Sequence, residues 1–466
     1  MRGSGDVLLV ACYELGHQPL ALASPLAYLE EAGFRPHAID LAVQPAGALR
    51  AKAVRAKFVA ISTPMHTALR LGEQAAARVR QANPSAHICF YGLYAWLNAD
   101  CLLRGTADSV IAGEYETPLA ALIAALARGE PADSVPGVST REKRGTPYLE
   151  RIRFPLPRRV SLPPLDRYAQ LVDEHGPRLA GYVEASRGCR HTCRHCPITP
   201  VYAGRFFAVP AETVLADIRA QAQAGATHIT FGDPDFLNGP GHSLKIVRAL
   251  HAEFFGVTFD FTAKVEHLLK HRALLPELRD CGCAFVVSAF ESTSDRVLRE
   301  LDKGHTLADM NLALEIAAAA GIPLRPSFVA FTPWTTAADY MEMLRFVWKH
   351  GLIDQVDPVQ YSIRLLVPPG SALVSQRGNA EWLGELDGPR FTYRWNHPDP
   401  RMDALYGLVS ARVAEAAARG ENARATFLTV YEMACETLGV PAPVEIRQPT
   451  AAPPQVLPHL TEAWFC

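Results

Sequence analysis

Short apolar runs alternate with helix-periodic stretches along most of the chain. In the first 127 residues, Val7–Cys12, His37–Leu41, Phe58–Ser62, His87–Tyr91 and Ser109–Ile111 read as strands, and Leu22–Ala32, Leu69–Gln81 and Thr117–Leu126 as helices. This alternation predicts an α/β fold, a doubly wound Rossmann-like sheet over residues 1–127. Ligands on such sheets sit outside the strand C-termini. That face would carry Ser62-Thr63-Pro64, Tyr91-Gly92-Leu93-Tyr94 and Ala112-Gly113-Glu114-Tyr115-Glu116.

The alternation breaks over residues 128–180, where Pro155, Pro157, Pro163 and Pro164 remove amide donors and fix φ. A linker with little regular structure is expected there. From Gly181 the pattern resumes. Strands are predicted at Tyr182–Ala185, His228–Phe231, Thr258–Ala263, Ala284–Ala289, Pro326–Phe331 and Val359–Ile363, with helices between them. Six such units over 181–395 predict a partial (βα)6 barrel of TIM type, with chemistry gathered at the strand C-termini. Met402–Arg419 and Ala425–Leu438 read as helices of a C-terminal region over 396–466, a small cap on the barrel's mouth. A proline-rich, extended tail follows from Pro441.

The chain has 466 residues, 49% of them hydrophobic, and a net charge of −2, enough for two or three domains with sizeable cores. No long basic run points to nucleic acid, and no apolar run reaches membrane-spanning length. Met1-Arg2-Gly3-Ser4-Gly5 leads straight into the first strand, which is not the pattern of a signal peptide. Of ten cysteines, three share one loop and the rest are scattered. That usage suits reduced thiols and predicts a cytoplasmic protein.

The shared loop is Cys189-Arg190-His191-Thr192-Cys193-Arg194-His195-Cys196. Three thiolates within eight residues can wrap one soft metal centre. A cubane [4Fe–4S] cluster takes four ligands, so three cysteines leave one iron open to a substrate or cofactor. A three-cysteine zinc site and chance clustering are the alternatives. Zinc sites usually space their pairs further apart, and His191 and His195 lie too close to the thiols to close a tetrahedron easily.

The Cys-x3-Cys-x2-Cys run, set among βα units, resembles the signature of the radical S-adenosylmethionine (SAM) superfamily. The resemblance implies a [4Fe–4S] cluster on Cys189, Cys193 and Cys196 whose open iron chelates SAM. One-electron reduction then breaks a C–S bond and yields a carbon radical. Most members carry an aromatic residue before the third cysteine; here it is His195. Asp233 and Asp235, after the second strand, are candidates for the SAM amino group, with a turn or helix cap as the plainer alternative. Glu291 and Ser292, in a segment similar to the family's, are candidates for SAM's ribose or amino-acid part. Arg325 is a candidate partner of its carboxylate, or a plain surface arginine. Ser294 reads as an N-cap. Lys303-Gly304-His305-Thr306 matches a family segment with no role assigned. The expected partners are a small-molecule substrate and an electron donor such as flavodoxin or ferredoxin.

Two further resemblances bear on function. Gly92 to Asn98 and Gly113-Glu114-Tyr115-Glu116 are similar to the cobalamin-binding domain that precedes many radical SAM cores. The Asp-x-His-x-x-Gly motif is absent and His17 lacks its context, so bound cobalamin would lack a histidine from that motif. A domain that kept the fold and lost the cofactor is the other open reading. The ending His459-Leu460-Thr461-Glu462-Ala463-Trp464-Phe465-Cys466 resembles a radical SAM subgroup with Cys-Cys-Ala-Glu-Pro or Cys-selenocysteine-Ala-Glu-Pro tails (CCAEP or CUAEP). It implies that the next codon is UGA, translated as selenocysteine in the host, with an ordinary C-terminus as the plainer alternative, and that Cys466 is a candidate substrate ligand. It also implies transfer of SAM's 3-amino-3-carboxypropyl group to trivalent arsenic. The rivals are a cobalamin-dependent radical SAM methyltransferase and a non-catalytic iron–sulfur or zinc protein.

Overall fold

In the computed structural model, residues 1–376, 381–441 and 457–462 are described. The N-terminal sheet runs in the order β2-β1-β3-β4-β5-β6, built from β1 (Val7–Ala11), β2 (His37–Asp40), β3 (Phe58–Ser62), β4 (His87–Tyr91), β5 (Ser109–Ile111) and β6 (Val138–Ser139). The first five strands are parallel, and β6 pairs antiparallel with β5. Side chains alternate between two cores. Leu8, Val10, Ile61 and Phe90 enter one, and Val7, Leu9, Ala60 and Tyr91 the other. Burial on both faces explains why these strands read as unbroken apolar runs. Strand order reverses between β1 and β3, which makes the C-terminal edge there the place for a ligand.

The second sheet has the order β14-β13-β12-β11-β8-β7-β17. It is formed by β7 (Gln170–Asp173), β8 (Gly176–Val183), β11 (His228–Phe231), β12 (Thr258–Thr262), β13 (Cys283–Glu291), β14 (Leu324–Phe328) and β17 (His459–Leu460). Strands β8 and β11 to β14 are parallel and form the half-barrel. Between them lie β9 (Ser186–Gly188) and β10 (Phe206–Ala208), an antiparallel ribbon. Strands β15 (Leu383–Asp387) and β16 (Thr392–Trp395) pair with each other.

Two expectations change. The segment 128–180 is not structureless, because it supplies β6, β7 and the start of β8. Its prolines lie within 131–177, but Gln170–Asp173 carries apolar residues that pair with Pro177–Leu179 across a tight turn. The sixth barrel strand, expected at Val359–Ile363, is a 3-10 turn over Pro358–Ser362. Pro358 opens that turn, and the Gln360 side chain takes the place of a ladder partner by accepting from Phe328 N at 2.9 Å. One parallel bridge, Phe331 to Arg364, continues the sheet. The helices Pro400–Arg419 and Ala423–Leu438 pack there, with Tyr406 against Phe331 and Phe427 against Tyr361.

The domains are joined by buried polar contacts. Arg159 forms a two-pronged ion pair with Asp217 at 2.6 and 2.8 Å and also donates to Gln18. Tyr168 donates to Asp40 at 2.8 Å. Strand β17 is antiparallel to β7, and so runs in the direction of β8. Just beyond it, Glu462 accepts from Tyr13 of the N-terminal domain at 2.7 Å.

Candidate cluster and cofactor site

The ribbon of β9 and β10 holds the cysteine loop at both ends. Gly188, at φ +76°, makes the turn into it, and a Cβ there would meet Arg205 O at 2.5 Å. Cys189 and Cys193 are buried, Cys196 is partly buried, and all three are free thiols. Burial pushes the Cys189 thiol up, and it pushes Cys196 up to about 12, with the other two thiols adding to the shift. The thiols therefore lie within electrostatic reach of one another. Three soft donors on one loop, two of them buried and one half-buried, fit a [4Fe–4S] cluster, whose positive irons stabilise thiolates. Asn238 steadies the loop by accepting from Arg190 N at 3.2 Å, with its oxygen 3.9 Å from Cys189 Sγ.

Glu291 ends β13 with φ +63°, an uncommon backbone for a non-glycine residue. Its Oε1 lies 3.2 Å from His195 Nε2 and 3.0 Å from Lys303 Nζ. Burial works to raise the Glu291 pKa, but Lys303 and His195 together hold the carboxyl well below its usual range. Ser292 is buried beside it, and its Oγ accepts from Ser294 N at 3.1 Å. Ser294 occupies the N-cap position of Asp295–Leu301, but its side chain makes no capping bond.

The other expected residues have partners of their own. Asp233 accepts from Ala185 N at 2.8 Å and Ser186 Oγ at 2.6 Å, and burial pushes its carboxyl up to about 7. Asp235 accepts from Leu237 N and Lys264 N, and its Oδ2 faces His267 and His191. Arg325 pairs with Asp357 at 2.9 Å and lies over Phe285. Cys466 lies outside the described residues. The fold thus gathers the three cysteines, Glu291 and Asp235 around one loop. Sequence reasoning missed Lys303 and Asn238 as members of that site, and did not bring His191 and His267 together beside Asp235. The Lys303-Gly304-His305 match and the histidines interleaved with the cysteines were the available signals.

The loop face of the N-terminal sheet meets this site. Tyr202 donates to Glu114 at 2.8 Å, and Arg187, two residues before Cys189, lies 2.8 Å from Glu116. Gly92, at φ +107°, turns the chain after β4 and is followed by half-buried Leu93, Tyr94 and Trp96. Leu93 and Trp96 pack against Ala112, Val201 and Tyr202, Tyr94 packs against the core beneath β3 and β4, and Arg144 lies over the Trp96 ring. His17 stacks on Tyr182 with centroids 4.5 Å apart, and burial pushes its imidazole down to about 4.

Comparison with known families matches residues 183–347 to the radical SAM superfamily and residues 7–123 to the B12 binding domain. Residues 7–123 thus match a B12-binding domain and residues 183–347 a radical SAM domain, in that order along the chain. A [4Fe–4S] cluster, SAM and cobalamin are the cofactors of that pairing. By fold, the chain is similar to the cobalamin-dependent SAM radical enzyme OxsB, with a TM-score of 0.67, 16% identity and coverage of 88% of this chain and 66% of that one. It is also similar to the radical SAM methyltransferase TsrM from Kitasatospora setae, with a TM-score of 0.62, 16% identity and coverage of 83% and 78%. An uncharacterized methyltransferase of Pyrococcus horikoshii is 24% identical over 269 residues, 56% of each chain. The chain spans about half the length of the curated relatives it matches first.

Proposed function

We infer that this protein is a cobalamin-dependent radical SAM enzyme that transfers a carbon group, a methyl in the simplest case, to a small molecule. The observation that carries the reading is the tie between the two domains at the cysteine loop. Arg187 and Tyr202 flank that loop, and both bind the Gly113–Glu116 loop of the B12-binding domain. A group carried on one domain is thereby brought beside chemistry started on the other.

When bound, the cluster supplies an electron and a chelation site for SAM, and cobalamin supplies a carrier for the transferred group. Cys189, Cys193 and Cys196 hold the cluster. Glu291 and Ser292 would meet the polar part of SAM. Lys303 balances the charge of Glu291 and the thiolates. Asp233 and Asp235 accept from backbone N–H groups, and Arg325 pairs with Asp357 through Nη2 while its buried Nη1 has no hydrogen-bond partner. The electron donor is a flavodoxin or ferredoxin.

Transfer of a 3-amino-3-carboxypropyl group to arsenic rested on a tail whose last residue, Cys466, lies outside the described residues, and the comparisons lend it no support. The test is anaerobic incubation of reconstituted protein with SAM, hydroxocobalamin and reductant. The protein should retain a corrinoid through gel filtration and form S-adenosylhomocysteine. Protein that carries its cluster but retains no corrinoid would count against the reading. In a parallel incubation with arsenite, a carbon–arsenic product containing the aminocarboxypropyl group would restore the alternative.

A further inference from the structure

We propose that His191, Asp235 and His267 bind one divalent transition-metal ion, of the zinc or ferrous type, beside the cysteine loop and separate from the cluster. One ligand atom from each residue lies within 4.8 Å of the others. Asp235 Oδ2 is 2.9 Å from His267 Nδ1 and 3.8 Å from His191 Nε2. Two donors bound to one such ion at about 2.1 Å lie about 3 to 3.5 Å apart, so these separations bracket those of a bound set.

A second observation points to a cation rather than to a hydrogen-bonded cluster. Asp235 is fully buried and His267 is 6% exposed. The nitrogens that face Asp235, His267 Nδ1 and His191 Nε2, are themselves buried and have no hydrogen-bond partner. At 2.9 Å the His267 nitrogen is near enough to donate, but its N–H is not in line with the oxygen. Two imidazole nitrogens left unpaired around one carboxylate oxygen are explained when all three share an ion.

The surroundings fit the same picture. Asp235 is oriented by the backbone N–H groups of Leu237 and Lys264. The other nitrogen of His191, Nδ1, faces Glu266 at 3.6 Å, the kind of outer carboxylate that accompanies a metal-bound histidine. The three residues come from three places: the cysteine loop, the turn after β11 and the helix Val265–Lys270 after β12. An ion there would pin the cysteine loop to the barrel. A set of two histidines and one carboxylate leaves positions open for water or an oxygen donor of the substrate.

The test uses anaerobic protein with its cluster already reconstituted, and Co2+ as the probe. One Co2+ per chain should remain after gel filtration, with d–d absorption and no thiolate-to-cobalt charge-transfer band. His267→Gln and Asp235→Asn should each weaken its binding at least tenfold, with iron and sulfide per chain unchanged in His267→Gln. His271→Gln, one turn further along, should bind as the parent does. Absence of retained Co2+ in the parent protein overturns the proposal whatever the variants do. Equal retention in His267→Gln and Asp235→Asn overturns it as well, since the ion would then sit elsewhere. Hydrogen bonding through a proton or water alone would show as the first of these results.

Discussion

Lys303 Nζ lies 3.0 Å from Glu291 Oε1; both side chains are buried, and Lys303 is within electrostatic reach of Cys193 and Cys196. Burial disfavours the ammonium, but Glu291 first and then Cys193 stabilise it, so its pKa is raised. Lys303→Met leaves the buried Glu291 carboxylate with His195 as its remaining charge partner. Breaking such a buried pair costs about 3–5 kcal/mol. The loss of positive charge should also move the cluster's midpoint potential to more negative values and slow SAM cleavage. Lys303→Arg should recover part of both. An unchanged potential in Lys303→Met, measured by redox titration, would remove Lys303 from the site.

The cysteine assignment is tested one thiol at a time. Cys189→Ala, Cys193→Ala and Cys196→Ala should each lose most of the iron, sulfide and visible charge-transfer absorbance. Cys101→Ser, at a partly exposed thiol remote in sequence from that loop, should keep all three. Full iron content in any of the three alanine variants breaks the assignment for that position.

The parts of this protein readable from sequence are those governed by local pattern. Strands buried on both faces, such as β3 and β4, announce themselves as apolar runs, and the cysteine spacing lies within one loop. What escaped depends on contacts between distant segments. The sixth barrel position reads as a strand because Val359 to Ile363 contains β-formers, yet Pro358 and the Gln360 side chain turn it into a 3-10 cap on β14. Lys303 and Glu291 are twelve residues apart and meet where left-handed backbone at Glu291, and at Asp302 and Gly304, turns both segments of chain. His191 and His267 are brought together by two different strand ends. No periodicity encodes such a meeting.

Arg187 is the charge on which the domain junction depends. It is buried, pairs with Glu184 at 2.9 Å and Glu116 at 2.8 Å, and reaches Glu114 at 3.4 Å. Arg187→Met should cost about 3–5 kcal/mol, because it leaves buried carboxylates uncompensated. The double variant Arg187→Met with Glu116→Gln should recover part of that loss, since one stranded charge is gone. Denaturant unfolding under anaerobic conditions reads both. A single variant as stable as the parent would mean that the junction is held by its apolar contacts alone.

Glu14 should make stability depend on pH. Its Oε1 accepts from Leu20 N and Ala21 N at the start of the helix Leu20–Glu31, whereas its buried Oε2 has no partner. Burial, aided by the Glu184 charge, pushes its carboxyl up to about 8. An unfolded glutamate titrates near about 4.3. The folded state therefore holds this proton more tightly, and its contribution to stability is full below about pH 4. It declines as pH rises and is lost by the time the pH passes about 8. Glu14→Gln keeps an acceptor for Leu20 and removes the charge, so its own curve lacks this component. The parent should fall relative to Glu14→Gln by up to about 1.4 kcal/mol per pH unit between about pH 5 and 8. Asp233 and Glu114, both pushed up to about 7, slope the same way in both proteins, so only the difference between the two curves reports Glu14. Parallel curves from urea unfolding across that window would show that Glu14 keeps its charge at no cost, and that its second oxygen has a partner in solution.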